Sequence, residues 1–167
     1  MKRILVTGAT SGIGRATALR LAAADTEIII TGRRLDRLEA LRKEVEAKGA
    51  QCRVLNFDVR SEKECIENLE PLGRVDILVN NAVDRRNMVS LQDATREKLQ
   101  ASADTNLQGQ LLLSQAVLEY MIPVESGSII NISSMRGLDC PHFPFYPEVM
   151  GDQPVNYTTE KWAMVGL

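Results

Sequence analysis

Short runs of apolar residues alternate along this chain with longer stretches in which apolar residues recur every three or four positions. The short runs are rich in β-branched residues and predict buried strands. The longer stretches have one apolar face and predict amphipathic helices. The predicted strands are Lys2–Thr7, Glu27–Thr31, Gln51–Phe57, Val75–Asn80 and Ser128–Ile132. The predicted helices are Gly12–Ala24, Leu35–Lys48, Ser61–Leu69, a long one over about Glu97–Met121, and one that begins at Tyr157.

Strands that alternate with helices predict right-handed βαβ units, and hence the α/β class with a doubly wound parallel sheet. The expected strand order is 3-2-1-4-5. In such a sheet a ligand binds beyond the carboxyl ends of the strands, near the switch point between strands 1 and 4. In the third helix, Ser61 is expected to be the N-cap and Glu64 to complete a capping box.

Composition narrows the classes of function. The 167 residues are 44% hydrophobic and 25% charged, the balance of one soluble globular domain, and the net charge of −2 offers no basic surplus for nucleic acid. No apolar run is long enough for a membrane span, and the N-terminus lacks the features of a signal peptide. Cys52, Cys65 and Cys140 follow no metal-ligand spacing, so we expect no metal site and a reduced, cytoplasmic setting.

A glycine-rich turn, Thr7-Gly8-Ala9-Thr10-Ser11-Gly12-Ile13-Gly14, follows the first strand and opens the first helix. Glycine lets the backbone approach a pyrophosphate, while N–H groups of the first helical turn meet its negative charge. The alternative is a tight strand–helix turn that binds nothing. The position of the turn favours dinucleotide binding by Gly8, Ser11, Gly12, Ile13 and Gly14.

The residues after the second strand bear on the choice of dinucleotide. An acidic residue there would accept hydrogen bonds from the adenosine ribose and select NAD(H). The sequence instead has Arg33 and Arg34, whose guanidinium groups suit a 2′-phosphate by charge and by geometry. NADP(H) is therefore the expected cofactor, and NAD(H) is the less favoured one. The structural alternative is that both arginines are solvated residues at a helix start.

Several further motifs occur in the order of one enzyme family. The glycine-rich turn has the spacing TGxxxGxG. The motifs that follow it are Asp58-Val59 after strand 3, Asn80-Asn81-Ala82 after strand 4, and Asn106 within TNLQG. The last two are Ser133-Ser134 after strand 5 and Tyr157 with Lys161 as YxxxK. Over its whole length the chain resembles the short-chain dehydrogenase/reductase family. The resemblance implies a Rossmann-like NAD(P)-binding domain, with cofactor contacts from Asp58, Val59, Asn81, Ala82, Tyr157 and Lys161.

Tyr157 and Lys161 are four residues apart, which places both on one face of a helix. A nearby ammonium favours the phenolate form of a tyrosine. Tyr157 can then give a proton to a ketone oxygen, or take one from an alcohol, while a hydride moves. Ser134 is expected to orient the substrate oxygen. By resemblance, Lys161 also bonds the nicotinamide ribose, and Asn106 kinks its helix and holds a water in a proton relay to Lys161.

Taken singly, these residues have structural alternatives: a YxxxK on a surface, serines that cap a strand end, and a polar residue on a helix. Together they favour an NADP(H)-dependent oxidoreductase that transfers a hydride between nicotinamide and a carbonyl or secondary alcohol, a small-molecule substrate. The alternatives are a non-catalytic NADP-binding or regulatory module, and an NAD-linked alcohol dehydrogenase of the same family. A homo-oligomer is expected for the full-length form.

The chain departs from the family pattern in three places. Val83 stands where the NNAG motif has glycine, and valine resists positive φ, so extended backbone is expected. Residues 135–156 form an unusually long loop, expected to line the substrate pocket or form a lid, or else to be a surface excursion. His142 within it is expected at the surface or substrate edge. No strand is predicted after Lys161, so we expect the single domain 1–167 to be a fragment, a truncated product or completed by a partner, with weak or no turnover alone.

Overall fold

The fold is built on a five-stranded parallel sheet. In the computed structural model, which describes residues 1–139 and 154–167, the strands are β1 Lys2–Val6, β2 Thr26–Thr31, β3 Gln51–Leu55, β4 Ile77–Asn80 and β5 Ser128–Asn131. Their order is β3-β2-β1-β4-β5, and every neighbouring pair is parallel. The predicted fold class and strand order are therefore confirmed.

The helices alternate with the strands along the chain. They are α1 Gly12–Leu21, α2 Leu35–Glu46, α3 Glu62–Leu69, α4 Arg96–Ala103, α5 Gly109–Met121 and α6 Val155–Val165. The sequence predicts a single helix over about Glu97–Met121, whereas the structure has α4 and α5 separated by the π-helical segment Asp104–Gln108. The apolar pattern does not show this separation because it continues through the π segment. Short 3₁₀ turns cover Glu70–Leu72, Ile122–Val124 and Met135–Gly137.

The described residues divide into two compact units. The first consists of Met1–Ala82 and Gly109–Asn131 and contains the whole sheet. The second consists of Val83–Gln108 and Ile132–Leu167. The glycine-rich turn thus belongs to the first unit, whereas α4, the π segment and α6 belong to the second.

The core of the first unit follows from the composition of its strands. Ile28–Ile30 of β2 are fully buried, as expected for a central strand of a parallel sheet covered on both faces. Leu113 and Val117 of α5 are also fully buried and belong to one apolar cluster with Cys65 of α3. Each large apolar side chain in such a core contributes about 1.5–3 kcal/mol to stability.

The start of α3 differs in one detail from the predicted capping box. Ser61 is the N-cap, and its side-chain oxygen accepts a hydrogen bond from Glu64 N at 3.2 Å, as predicted. The Glu64 carboxylate, however, accepts from the N–H of Asp58 at 2.9 Å. The Ser61 N–H already donates to the Asp58 carbonyl oxygen at 3.0 Å, so the reciprocal half of the predicted box is wrong. Glu64 instead ties α3 to the segment that follows β3.

Glu27 is a buried carboxylate of β2 with an arginine on each neighbouring strand. Its side chain is 7% exposed and accepts hydrogen bonds from Arg3 Nε at 2.6 Å and from Arg53 Nε at 2.9 Å. Burial raises the pKa of Glu27, but the hydrogen bonds and charges of the two arginines outweigh it, so the pKa lies below its ordinary value. The resulting stabilisation is complete above the ordinary pKa and is lost as the pH falls through the lowered one.

We therefore expect Glu27→Gln to lower the free energy of unfolding by about 1–3 kcal/mol at neutral pH. The difference from the unchanged protein should shrink in acid, because Glu27 then protonates in the unchanged protein as well. Urea unfolding at neutral and acid pH measures this difference. Glu46→Gln, which removes an exposed partner of Arg42, is the control and should change stability by less than about 1 kcal/mol. A Glu27→Gln effect that does not vary with pH would contradict the assignment.

Candidate active site

The turn after β1 leaves N–H donors open at the start of α1. Ser11 is the N-cap residue, its backbone is extended, and its side chain caps no N–H group. The first N–H groups of a helix have no partner within the helix, and no acidic residue lies in the first turn of α1. Ser11, Gly12 and Ile13 are exposed, and a Cβ added at Gly12 would meet nothing within 4 Å. This end of α1 can therefore receive an anion.

Two glycines of this turn are packed against the segment that follows β4. Gly8 has a φ of +62°, and a Cβ there would lie 2.8 Å from Ala82 Cα. A Cβ at Gly14 would lie 2.7 Å from the Gly8 carbonyl oxygen. The N–H groups of Asn81 and Ala82 both donate to Thr7 Oγ1 at 2.9 Å, and Asn81 Nδ2 donates to Thr7 O at 2.8 Å. The structure thus joins two of the predicted cofactor motifs.

Arg34 reaches back to the glycine-rich turn from the start of α2. Its Nη2 donates to Thr10 Oγ1 at 2.5 Å and lies 3.3 Å from Ser11 Oγ. No acidic residue stands between Thr31, the last residue of β2, and Asp36. A guanidinium and two hydroxyl groups at one place offer donors that suit a phosphate.

Asp58, which follows β3, is held by two arginines. Arg60 Nη2 donates to its carboxylate at 2.6 Å, and Arg33 Nη1 lies 3.8 Å from the same carboxylate. Burial raises the pKa of Asp58, but the hydrogen bonds and charge of Arg60 and the charge of Arg33 outweigh it, so the pKa lies below its ordinary value. Val59, the next residue, is buried. Arg33 therefore lies beside a carboxylate, whereas Arg34 contacts the hydroxyl groups of Thr10 and Ser11.

In the second unit, Tyr157 and Lys161 lie on α6, as their spacing predicts. Lys161 Nζ is 5.8 Å from the centroid of the half-buried Tyr157 ring. The Lys161 ammonium donates to the Ile132 carbonyl oxygen at 2.7 Å and lies 3.3 Å from Met164 Sδ. Burial lowers the pKa of Lys161, and the charge of Glu160 only partly opposes this, so the pKa lies below its ordinary value. The structure thus brings an ammonium to the phenol ring.

The two serines after β5 have different partners. Ser134 is the N-cap of the 3₁₀ turn, and its Oγ accepts a hydrogen bond from Arg136 N at 3.2 Å, which leaves its hydroxyl proton to donate elsewhere. Ser133 donates to the Lys161 carbonyl oxygen at 2.9 Å. A Cβ at Gly137 would lie 2.5 Å from that same oxygen. Ser133 and Gly137 therefore hold α6, whereas the orientation of a substrate by Ser134 stays a prediction.

Asn106 lies inside the π-helical segment and is 1% exposed. Its Oδ1 accepts a hydrogen bond from Asp84 N at 2.6 Å, and its Nδ2 donates to Asp84 O at 3.1 Å and to Glu160 Oε2 at 2.7 Å. A π segment inserts one extra residue into a helix and is frequent at functional sites. The helix is irregular at Asn106, and the role of Asn106 in a water relay stays a prediction.

Two buried polar residues of α6 are not identified by the sequence motifs. Asn156 accepts a hydrogen bond from Val89 N at 3.1 Å and donates to the Asn87 carbonyl oxygen at 2.7 Å, so it anchors the start of the helix. Glu160 binds Asn106, as described above. The two residues are four positions apart on the buried side of α6, where apolar side chains are the rule. In the sequence, Asn156 and Glu160 could have been found as two polar residues at the four-residue spacing of one helix face, where apolar residues are expected.

The backbone at Val83 avoids the left-handed region, as expected for valine. Among the described residues, Glu125 is the only residue other than glycine with a positive φ. The expectations for His142, for Cys140 and for most of the loop 135–156 fall outside the described residues.

Within residues 1–139 and 154–167, no group of three or more His, Cys, Asp and Glu side chains is arranged to hold a metal ion. In the same part of the chain, no helix combines the length and the apolar character that crossing a membrane requires.

A parallel sheet of order 3-2-1-4-5 with a glycine-rich turn between β1 and α1 defines an α/β dinucleotide-binding fold. The family model described as short chain dehydrogenase matches residues 2–167, and the chain belongs to this family.

Similar proteins include two curated enzymes and a solved structure. The chain is 36% identical over 140 residues to the sulfoacetaldehyde reductase of Chromohalobacter salexigens, a match that covers 80% of this chain and 54% of that protein. It is 36% identical over 138 residues to the NADP-dependent 3-hydroxy acid dehydrogenase of Escherichia coli, with coverages of 80% and 54%. The crystal structure of NAD+-bound xylitol dehydrogenase matches with a TM-score of 0.87 and 31% identity, over 99% of this chain and 61% of that one. The chain thus spans about half the length of the curated relatives it matches.

Proposed function

We propose that this chain forms the cofactor-binding and catalytic part of an NADP(H)-dependent oxidoreductase that interconverts a carbonyl group and a secondary alcohol in a small-molecule substrate. The observation that carries the proposal is the pair on α6, where the Lys161 ammonium lies 5.8 Å from the Tyr157 ring centroid. A buried ammonium beside a phenol ring on one helix face suits a tyrosine that gives or takes a proton as a general acid or base.

The first unit supplies the residues that would hold the cofactor. Gly8 and Gly14 let the turn pack closely on itself and on Ala82, where a Cβ would meet backbone atoms, and the uncapped start of α1 offers N–H donors to a pyrophosphate. Cofactor contacts are assigned to Gly8, Ser11, Gly12, Ile13, Gly14, Arg33, Arg34, Asp58, Val59, Asn81 and Ala82, and to Tyr157 and Lys161 of the second unit. When bound, NADP(H) supplies or accepts the hydride.

NADP(H) is favoured over NAD(H) by the residues around Arg34. The guanidinium lies at the hydroxyl groups of Thr10 and Ser11, where three groups can donate to a 2′-phosphate. No carboxylate is present directly after β2 to accept hydrogen bonds from a ribose. One relative is named as NADP-dependent, while the xylitol dehydrogenase structure contains NAD+, so the arginines and not the family carry this choice.

The second unit supplies the proton chemistry. Tyr157 donates its phenolic proton to the substrate oxygen during reduction and takes a proton from the alcohol during oxidation. The Lys161 ammonium places a positive charge beside the Tyr157 ring, where negative charge develops as the proton leaves. Ser134, whose hydroxyl proton is not used by its bond to Arg136 N, orients the substrate oxygen. Asn106 supports Lys161 from the π segment through a water relay.

The cofactor assignment predicts different effects of Arg34→Ala on the two dinucleotides. Loss of a charge-assisted hydrogen bond to the 2′-phosphate should weaken NADPH binding by about 10- to 100-fold. NADH, which has no such phosphate, should bind within about threefold of its original affinity, and Arg33→Ala should show the same selectivity. Calorimetric titration of each variant with both dinucleotides measures the effect.

Arg37→Ala provides a matched control because it removes an exposed arginine of α2 one turn further along the helix. It should leave the affinity for both dinucleotides unchanged. Equal losses of NADPH and NADH affinity in Arg33→Ala and Arg34→Ala would remove the argument for NADP(H).

A further inference from the structure

Glu160 is a buried carboxylate next to the proposed catalytic lysine, and the chemistry described above does not use it. Only 5% of the residue is exposed. Carboxylates are rarely buried to this degree unless they are paired or hydrogen-bonded, because burial without a partner is costly. The burial of the Glu160 carboxylate therefore has to be explained by its partners and its charge.

The first reason is its contact with Asn106. Asn106 Nδ2 donates to Glu160 Oε2 at 2.7 Å, and both groups are shielded from solvent. Asn106 in turn bonds both the N–H and the carbonyl oxygen of Asp84 and lies 3.1 Å from Ser102 Oγ. Glu160 thus connects α6 with the π segment and, through Asn106, with the segment that contains Asp84.

The second reason is its charge. Lys161 is buried, and burial lowers its pKa, whereas the negative charge of Glu160 opposes this lowering. Burial raises the pKa of Glu160 itself, and the hydrogen bonds of Asn106 and Ser102 and the charge of Lys161 work against that rise, with a net direction upward. Each buried group therefore favours the charged form of the other.

The other charged groups near α6 have to be considered as well. Three elements pack against α6: the 3₁₀ turn Met135–Gly137, α4 and the π segment. Asp84, which raises the pKa of Glu160, is itself paired with Arg86 at 2.6 Å. The charged residues on these elements and on the segment 83–87 are Asp84, Arg85, Arg86, Arg96, Glu97, Lys98, Asp104 and Arg136. The Lys161 ammonium itself contacts the Ile132 carbonyl oxygen at 2.7 Å and Met164 Sδ at 3.3 Å.

We propose that Glu160 is a positioning residue of this active site: its buried carboxylate holds Asn106 of the π segment on α6 and places a negative charge next to Lys161. The proposal deepens the proposed function and rests on it, since Lys161 matters only if Tyr157 is the acid/base. Glu160 touches neither substrate nor cofactor in this role. It acts through Asn106 and Lys161.

The charge is tested with Glu160→Gln, which keeps an acceptor oxygen for Asn106 but removes the negative charge. Glu67→Gln, on the exposed side of α3, is the control with the same change in net charge. The titration of Lys161 is followed by NMR of its Cε and Nζ nuclei in the 167-residue chain, with Lys161→Arg used to assign the signal. The Lys161 midpoint should fall by about one pH unit in Glu160→Gln and stay in place in Glu67→Gln. A midpoint that moves equally in both variants would overturn the proposal.

The contact is tested by hydrogen exchange of the backbone N–H groups in Asp104–Gln108. Glu160→Met, which retains bulk but has no acceptor for Asn106, should exchange at least tenfold faster there than the unchanged protein, whereas Glu160→Gln should be nearly normal. Exchange at β2, far from this contact in the sequence, is the control for general loss of stability. If Glu160→Met and Glu160→Gln exchange alike in the π segment, the positioning role is wrong.

Steady-state kinetics of the protein separate this proposal from the proposed function. Glu160→Gln should lower kcat at alkaline pH, because Lys161 loses its proton at a lower pH, and should leave the KM for NADPH unchanged. If the Lys161 midpoint moves while Tyr157→Phe has normal turnover, the proposed function fails and the electrostatic link between Glu160 and Lys161 stands. If Tyr157→Phe is inactive and the Lys161 midpoint does not move, the proposed function stands and the role of Glu160 fails.

Discussion

Tyr157→Phe is expected to lower kcat/KM for NADPH-dependent carbonyl reduction by about 10²- to 10⁴-fold, the usual contribution of a general acid. The substitution removes the phenolic oxygen and keeps the ring that lies 5.8 Å from Lys161 Nζ. Packing of α6 should therefore be preserved, and the loss should fall on the chemical step. Steady-state assays with a panel of ketones and aldehydes measure the effect.

NADPH binding and a second tyrosine, Tyr120, provide the controls for Tyr157→Phe. The affinity for NADPH should change less than about tenfold, because one hydrogen bond contributes about 0.5–1.5 kcal/mol. Tyr120→Phe, on α5, should leave turnover unchanged, since Tyr120 has no part in the proposed chemistry. Normal turnover by Tyr157→Phe would contradict the acid/base assignment. Absence of turnover in both Tyr157→Phe and the unchanged protein, with NADPH binding retained, would support a non-catalytic nucleotide-binding module.

Gly14→Ala is expected to abolish measurable NADPH binding and to lower the free energy of unfolding by about 1–3 kcal/mol. Alanine is the better helix former by about 1 kcal/mol, so a gain would be expected on an open helix surface. Here the added Cβ would lie 2.7 Å from the Gly8 carbonyl oxygen, a backbone atom that cannot move aside alone. The turn would open and its N–H donors would lose their arrangement. Urea unfolding and calorimetric titration with NADPH measure the two effects.

Gly73→Ala is the matched control for this substitution. Gly73 has a φ of +62° and open space around its Cβ position, so alanine there costs only backbone strain, about 1–2 kcal/mol. The folded Gly73→Ala protein should bind NADPH with its original affinity. If Gly14→Ala binds NADPH as tightly as Gly73→Ala does, the packing of the glycine-rich turn is not required for cofactor binding.

The strands and their order were accessible from the sequence because both depend on local pattern and general topology. The run of three isoleucines in β2 predicts a strand buried on both faces, and Ile28–Ile30 are fully buried. The alternation with helices then leaves few topologies, of which the doubly wound order is the one observed.

The π segment that contains Asn106 could not be predicted from the sequence pattern. Its apolar spacing continues without interruption, so the pattern predicts one helix where α4, the π segment and α5 occur. The extra residue of the π segment coincides with hydrogen bonds from Asn106 to Asp84 and Glu160, which are distant in the sequence. The partner of Glu64 could not be predicted either, because its carboxylate accepts from the N–H of Asp58 and not from the N–H of the N-cap residue Ser61.

The sequence by itself determined the class of fold, the glycine-rich turn, the arginines after β2 and the four-residue spacing of Tyr157 and Lys161, because each is a property of neighbouring residues. Only the tertiary structure decided which of these motifs meet and which additional residues serve them. The joining of Asn81 and Ala82 to the glycine turn, and of Glu160 to Asn106, depends on chain segments that folding brings together. The partner of the buried Glu160 carboxylate on α6 is set by the packing of distant chain segments, which helical spacing alone does not specify.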